Sequence, residues 1–191
     1  MTINSGYCGS LCNNSAGGVQ RFYIVNTVDI DKTSINRNDD GELTEMTING
    51  DMYPYVPYVD SSSWSDTLTV APENGTLYYE QTANIIMGAN NQELRNIVDR
   101  MGKASNMVVL VLDNNGKLWL IGDPYGKRRT WLSSGNSNSG VGYGDRNGWE
   151  LTVMCRNSEP AFQVKPAENS DLAASIADAD AFCDGGSGTG L

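Results

Sequence analysis

The strongest constraint on the fold is a segment in which apolar and polar side chains alternate strictly. From Trp149 to Cys155 the odd-numbered residues are Trp, Leu, Val and Cys, and the even-numbered residues are Glu, Thr and Met. Successive side chains of a β-strand point to opposite faces, so this pattern predicts a strand with one buried face and one exposed face. A similar alternation runs from Thr76 to Met87 and predicts a second such strand.

Turn-forming residues join the predicted strands into hairpins. Asn74-Gly75 is a strong hairpin signal, because a tight two-residue turn needs positive φ at both central residues. Asp113-Asn-Asn-Gly116 predicts another turn, between Met107–Leu112 and Lys117–Ile121. The spacing of its acidic residues does not match a calcium-binding EF-hand loop. Further strands are predicted at Arg21–Asp29, Glu42–Ile48, Thr67–Val70, Arg128–Leu132 and Ala161–Val164.

One segment in the middle of the chain has a helical period. From Leu94 to Met101 apolar residues recur at i, i+3, i+4 and i+7, which gives a single apolar stripe on a helix. Asn90 or Asn91 can cap its N-terminus, and Gly102 is expected to end it. The sequence therefore predicts a mainly β fold, a sandwich or barrel of antiparallel hairpins with one inserted α-helix at about 91–102.

Two segments with strand-like composition differ from this alternating pattern. Residues 22–25 are a continuous apolar run, which predicts a strand covered on both faces. Residues 53–58 contain two prolines among tyrosines. Proline cannot donate to a central ladder, so this segment is expected to be an edge strand or an extended arm, with its tyrosines available for a protein contact.

Around this body the sequence predicts two arms and a long loop. Residues 1–20 are rich in Gly, Asn and Ser and are expected to form an N-terminal arm, followed by the β-rich body at 21–165. Residues 133–148 are predicted to be a long loop that is available for contacts. Residues 166–191 are expected to form a C-terminal arm, in which Ser170–Phe182 can form a short Ala-rich helix.

The charge balance limits the partners that the chain can bind. The net charge is −10, so the surface repels phosphates, and sequence-specific DNA binding is not expected. An acidic wall along which DNA slides without sticking remains compatible with this charge. Lys127, Arg128 and Arg129 form the one basic cluster, which can be a solvated turn or an ion-pairing contact with an acidic neighbour.

Little in the sequence predicts catalysis or metal binding. The chain has no His, which excludes Ser-His-Asp and Cys-His nucleophile systems. Cys8 and Cys12 are close in sequence, but Cys155 and Cys183 are far apart, so reduced packing side chains are favoured over a zinc site. Carboxylate pairs remain as an enzyme hypothesis that we do not favour, and no cofactor is expected. The candidate carboxylates are Asp39 with Asp40, Asp29 with Asp31, and Asp60 or Asp66 beside Trp64.

No secretory signal or membrane span is expected. The first residues lack a basic start and an apolar block, and the longest apolar run, around 107–112, is far shorter than the roughly 20 residues of a transmembrane helix. We therefore expect the chain to be assembled in a cytoplasm.

Three segments resemble tail-assembly proteins of tailed bacteriophages, in particular those of Bacteroidetes-infecting, crAss-like phages. They are Asn74-Gly-Thr-Leu-Tyr-Tyr-Glu-Gln81, Leu112-Asp-Asn-Asn-Gly-Lys-Leu-Trp-Leu-Ile-Gly122 and Gly144-Asp-Arg-Asn-Gly-Trp-Glu-Leu-Thr152. The order hairpin, helix, hairpin is also similar to that of tail-tube proteins and of type VI secretion tube subunits. The resemblance covers about 21–164.

This resemblance implies a virion structural protein that forms homo-oligomeric rings, with six or twelve copies, in a phage tail. Such rings line or support the DNA-ejection conduit, with DNA only as passing cargo and with other tail or portal-proximal proteins as neighbours. The Cys8/Cys12 arm and the extension after Pro166 are not expected of a minimal tube subunit. A repeated tube ring and a single connector ring near the portal therefore both remain open.

The candidate contacts between subunits are exposed aromatic and basic residues of the edge segment, the basic cluster and the loop. They are Tyr53, Tyr55, Tyr58, Lys127, Arg128, Arg129, Tyr143 and Arg146. An alternative function is a carbohydrate- or receptor-binding β-sandwich, in which Trp64, Trp131 and Trp149 would stack on sugar rings. Packing in a core or an interface is the simpler interpretation of these tryptophans.

Overall fold

Eleven β-strands and two α-helices make up most of the chain that the computed structural model describes, which comprises residues 16–58, 60–88, 90–104, 106–168 and 170–184. The strands form two sheets, of seven and four strands. The fold is therefore mainly β, as the alternating segments predict.

The seven-stranded sheet is the middle layer. All of its neighbouring strands are antiparallel except one pair, β3 (Leu43–Glu45) and β11 (Phe162–Val164), which runs parallel. Strands β1 (Val19–Asn26) and β7 (Met107–Asp113) are covered on both faces, and residues 22–25 of β1 are at most 5% exposed, which confirms the interpretation of that apolar run. In spatial order the strands are β2 (Asn36–Arg37), β3 (Leu43–Glu45), β11 (Phe162–Val164), β8 (Leu118–Ile121), β7 (Met107–Asp113), β1 (Val19–Asn26) and β4 (Tyr53–Tyr55).

The four-stranded sheet covers one face of this layer. Its spatial order is β5 (Ser63–Ala71), β6 (Thr76–Met87), β10 (Gly148–Asn157) and β9 (Thr130–Asn138), and all neighbours are antiparallel. In β10, Leu151, Val153 and Cys155 are fully buried, while Thr152 and Met154 are half-buried on the other face. The predicted alternation is therefore confirmed.

The helices lie on opposite faces of the middle layer. Helix α1 (Gln92–Lys103) begins where Asn91 Oδ1 accepts a hydrogen bond from the backbone N–H of Leu94, at 2.8 Å. It packs Val98 and Met101 into the core between the two sheets. Helix α2 (Asp171–Asp184) packs Leu172 on the opposite face, against the second core. The helix predicted at about 91–102 is thus present, and it begins and ends one residue later than predicted.

Helix α2 confirms the short Ala-rich helix predicted at Ser170–Phe182, and it packs this part of the segment 166–191 on the body. Leu172 is fully buried, and Asp180 accepts hydrogen bonds from the Tyr23 hydroxyl, at 2.6 Å, and from the Arg21 guanidinium. The described part of this segment is therefore a packed helix and a second helix of the fold. Its small alanine side chains give a weak apolar stripe, which is why the sequence signal for packing was faint.

Three other boundaries differ from the sequence predictions. Strand β9 continues to Asn138, so the loop predicted at 133–148 spans only 139–147. Pairing with β10 extends the strand through Ser, Gly and Asn residues of low strand propensity. The β5–β6 connection is a short 3₁₀ turn followed by Gly75 at φ 62°, and Asn74 does not have positive φ. Strand β1 begins inside the predicted arm at 1–20, and the rest of that arm, with Cys8 and Cys12, lies outside the described residues.

Candidate assembly surfaces

The edges of the two sheets are built differently. The seven-stranded sheet ends in β2, of two residues, and β4, of three residues including Pro54. The four-stranded sheet ends in β5 and β9, each of nine residues and free of Pro and Lys, although the register of β9 shifts at Ser133 and Asp66 of β5 is a core-facing charge. A long edge without such residues presents unpaired backbone N–H and C=O groups to another chain, whereas short strands and proline prevent such pairing. One sheet is therefore protected at its edges, and the other can continue into a second chain.

The strand directions determine how a second chain would pair. Because all neighbours in the four-stranded sheet are antiparallel, β5 and β9 run in opposite directions. A second copy in the same orientation would therefore present its β5 antiparallel to β9. Such a contact is head-to-tail and joins two different surfaces, so its repetition gives a closed ring or an open filament.

The outer face of the four-stranded sheet is polar but carries few charges. Two of its acidic groups are paired, Glu80 with Arg156 at 3.0 Å and Glu150 with Arg146 at 3.3 Å. Thr152 donates a hydrogen bond to Asn84 at 3.1 Å. The small polar residues that alternate onto this face are Ser63, Ser65, Thr67, Thr69, Thr82, Asn84, Thr152, Ser134 and Asn136, and they are interrupted by Tyr78, Trp131 and Met154.

The end of the β5–β6 hairpin exposes apolar side chains on the opposite, core-facing side of the sheet. Leu68, Val70 and Leu77 are 49%, 53% and 52% exposed. They follow Trp64 and Ala83 on the same face, and those two residues pack in the core. We call residues 67–79 the overhang. Its inner face continues the core surface beyond the part that the described residues of the seven-stranded sheet cover.

A groove of about 750 Å³ runs between α1 and the edge formed by β1 and β4, and it contains two predicted contact residues, Tyr53 and Tyr55. Burial raises the pKa of Tyr55 to about 12, and burial together with Asp51 raises the pKa of Tyr53. Both hydroxyls therefore remain protonated at neutral pH. The apolar lining residues are Ile24, Ile97, Met101, Ala104 and Met107.

The basic cluster lies in the turn between β8 and β9, and Lys127, Arg128 and Arg129 are all exposed. Buried Asp123 organises this turn by accepting hydrogen bonds from the backbone N–H groups of Tyr125 and Arg128. The ammonium of Lys127 lies 5.4 Å from the centre of the Tyr125 ring. This turn is at the same end of the four-stranded sheet as the β5–β6 turn.

The β9–β10 loop at 139–147 lies at the other end of that sheet. Val141 and Tyr143 are fully exposed at its tip. The Asp145 carboxylate accepts hydrogen bonds from the backbone N–H groups of Val141 and Gly142, at 2.8 and 2.7 Å, and these bonds lower the pKa of Asp145. Tyr143 is thus held in an ordered turn, while Arg146 is ion-paired within its own chain.

The predicted contact residues therefore fall into separate places rather than one patch. Tyr53 and Tyr55 line the groove, the basic cluster lies at one end, and Tyr143 and Arg146 lie at the other. Tyr58 is exposed next to Gly88, and its backbone N–H donates to Ile86 at 2.7 Å. The sequence predictions did not identify the overhang, although alternation from Trp64 to Val70 could have indicated its apolar face.

Two of the tryptophans proposed for sugar stacking pack within the protein. Trp64 lies 5.0 Å from Trp119, centre to centre, and both contact the core. Trp149 also contacts the core, and the Arg95 guanidinium lies 5.6 Å from its ring centre. Trp131, on the outer face, is half-buried. This arrangement favours packing over sugar binding for Trp64 and Trp149.

No protein-family model, curated protein or solved structure matches this chain. Among the described residues, no group of three or more His, Cys, Asp or Glu side chains is placed to hold a metal ion. No helix in that part of the chain is long and apolar enough to cross a membrane.

Proposed function

We propose that this chain is a structural subunit of a phage tail, and that copies assemble head-to-tail into a ring that lines or supports the DNA-ejection conduit. The observation that carries this proposal is the pair of open edges, β5 and β9, on a sheet whose outer face is polar. The phage assignment itself depends on the sequence resemblance, and the edges support the assembly.

The stagger of the four strands supports ring closure. Thr130 of β9 and Asp66 of β5 lie at the same height in the sheet, as the residue pairing from strand to strand across β10 and β6 shows. The last five residues of β5 therefore extend past the start of β9. Thr130 and Asp66 both face the core side. An inter-subunit register must keep core-facing residues opposite one another, so β5 can shift only by an even number of positions. If β5 shifts by four positions, Val70 of one copy pairs with Thr130 of the next copy. This register uses almost all of both edges.

This shift corresponds to the strand tilt of a closed barrel. Four residues of about 3.4 Å give a displacement of roughly 14 Å along the strands for each subunit. Four strands about 4.8 Å apart give a width of roughly 19 Å, so the strands would tilt by about 35°. Closed barrels have tilts of about 35–45°, so the stagger is compatible with closure whatever the number of copies.

The outer face fits a conduit for DNA. In such a ring either face of the sheet could point inwards, but the core-facing side is covered by the seven-stranded sheet, which leaves the outer face for the lumen. Hydroxyl and amide groups without free cations offer a phosphate backbone few attractive contacts. The net charge of −10 further disfavours sticking of the passing DNA.

Adjacent proline substitutions in β5 test the proposal. Backbone N–H groups of an edge strand alternate between its partner and the open side, so only one of Thr67→Pro and Leu68→Pro removes an N–H that faces the next subunit. The variant that lacks the N–H facing the next subunit is expected to keep the thermal stability of the monomer. It is expected to form no rings in negative-stain images and mass photometry. The other variant is expected to unfold at a lower temperature, because it breaks the β5–β6 ladder.

Two results would contradict the proposal. One is that the unsubstituted protein stays monomeric at high micromolar concentration. The other is that rings persist in the proline variant that retains its stability, which would mean that β5 does not join the subunits.

A further inference from the structure

We propose that the overhang of each subunit seats in the groove between α1 and the β1–β4 edge of the next copy in the ring. This inference rests on the proposed function and names the surfaces that the neighbouring subunits bury. The overhang exposes apolar side chains, and the groove has apolar walls with Asn26, Glu93, Asn96 and Arg100 among its lining residues. Neither surface is covered by the described residues of its own chain.

The two surfaces lie on opposite flanks of the subunit. On the β5 flank, Trp64 packs against Trp119 of β8, and Asp66 accepts a hydrogen bond from the backbone N–H of Ala161. On the β9 flank, β9 contacts β7 and α1, and β1 and β4 follow β7 in the middle layer. A head-to-tail contact through β5 and β9 therefore brings the overhang of one copy to the groove flank of the next.

The register sets which residues meet. A shift of four positions pairs Val70 of one copy with Thr130 of the next, and it pairs Leu68 with Leu132. Leu132 lies against Gly102 near the end of α1, at 3.9 Å from the position that a Cβ on Gly102 would take. Leu68 would therefore arrive beside the last turn of α1, where Met101 lines the groove.

The chemistry of the two surfaces is complementary. The overhang offers branched apolar side chains, and the groove offers methionine, isoleucine and tyrosine walls. Both rims also carry charges: Glu73 is exposed in the β5–β6 turn, and Glu93 and Arg100 are both exposed at the groove. Arg100 has no ion pair within the described part of the chain, so its guanidinium is available to a carboxylate of a second copy.

The size of a stable interface also requires a contact of this kind. Stable protein interfaces bury roughly 800 Å² on each partner, with an apolar centre and a polar rim. A single strand pair supplies backbone hydrogen bonds but little apolar area. The overhang and the groove would supply the apolar centre beside that strand pair.

Site-specific photo-crosslinking in assembled protein tests the inference. A benzophenone amino acid at Leu77 is expected to crosslink one copy to residues 93–107 or 53–55 of another, as mapped by mass spectrometry. The same probe at Val141, which is fully exposed at the other end of the sheet, is the matched control and is not expected to reach the groove.

A charge substitution gives a second, quantitative measurement. Leu77→Asp is expected to raise the concentration for half-assembly by at least about tenfold, because it would bury a carboxylate in an apolar contact. Val28→Asp changes a side chain that is 87% exposed outside both surfaces, and it is expected to leave that concentration within about twofold. Unchanged thermal unfolding of the monomer confirms that Leu77→Asp remains folded.

The outcomes separate this inference from the proposed function. The inference would be overturned, and the proposed ring retained, if rings form but the probe at position 77 crosslinks elsewhere. The same holds if the probe at Val141 reaches the groove. Normal assembly of Leu77→Asp would also overturn it. Absence of rings from the unsubstituted protein would overturn both.

Discussion

The packing of α2 on the body gives a prediction that can be worked out quantitatively. Asp180 accepts hydrogen bonds from the Tyr23 hydroxyl and the Arg21 guanidinium, and Tyr23 is only 1% exposed. Asp180→Ala would leave that hydroxyl buried without this acceptor. A hydrogen bond to a charged group contributes about 1.5–3 kcal/mol, and an ion pair as exposed as this one adds about 0–1 kcal/mol. The expected loss in the free energy of unfolding is therefore about 1.5–4 kcal/mol.

Urea unfolding followed by circular dichroism, at a concentration where the chain is monomeric, measures this loss. For a chain of this length the loss corresponds to a decrease in melting temperature of about 3–16 °C. Asp178→Ala is the matched control, because Asp178 is exposed on the same helix, and its effect is expected to stay within about 0.5 kcal/mol. If the two variants had equal effects, the described contact of α2 with β1 would be refuted.

Three further tests, which use four substitutions, address other parts of the fold. Leu151→Ala is expected to lower the free energy of unfolding by about 2–5 kcal/mol and Met154→Ala by less than about 1 kcal/mol, because only Leu151 faces the core; equal losses in urea unfolding would contradict the assigned faces. The pKa of Tyr55 is about 12 in the fold and about 10 in an unfolded chain, so its contribution to the free energy of unfolding is present below pH ~10 and is lost towards pH 12, at up to about 1.4 kcal/mol per pH unit. Tyr55→Phe is therefore expected to reduce the loss of stability at alkaline pH, as measured by unfolding at several pH values. Asp145→Ala is expected to accelerate proteolytic cleavage within 139–147 without changing the melting temperature, and an unchanged cleavage rate would show that the carboxylate does not order the loop.

The parts of the fold that the sequence predicts are those with strong periodicity. The alternation in β10 and the apolar stripe of α1 correspond directly to buried faces, because a side chain's direction in a strand or helix follows its position. The continuous run at 22–25 likewise identifies a strand with two covered faces. These patterns indicate which side chains are buried, and those side chains pack against the middle layer.

The parts that the sequence did not predict depend on partners distant in the chain. Ser134 and Asn136 have low strand propensity, yet they belong to β9 because β10 pairs with them. Helix α2 is held by Asp180 contacts with residues more than 150 positions away, which no local pattern indicates. The overhang was missed for the same reason, since the exposure of Leu68 and Val70 depends on where the seven-stranded sheet ends.

A cryo-electron microscopy reconstruction of the assembled protein tests the central claim most directly. We predict a closed ring in which β5 of each subunit pairs antiparallel with β9 of the next, with a strand tilt of about 35° and the polar face of the four-stranded sheet towards the lumen. An assembly in which β5 and β9 remain unpaired, or in which copies are joined by a two-fold contact between identical strands, would contradict it.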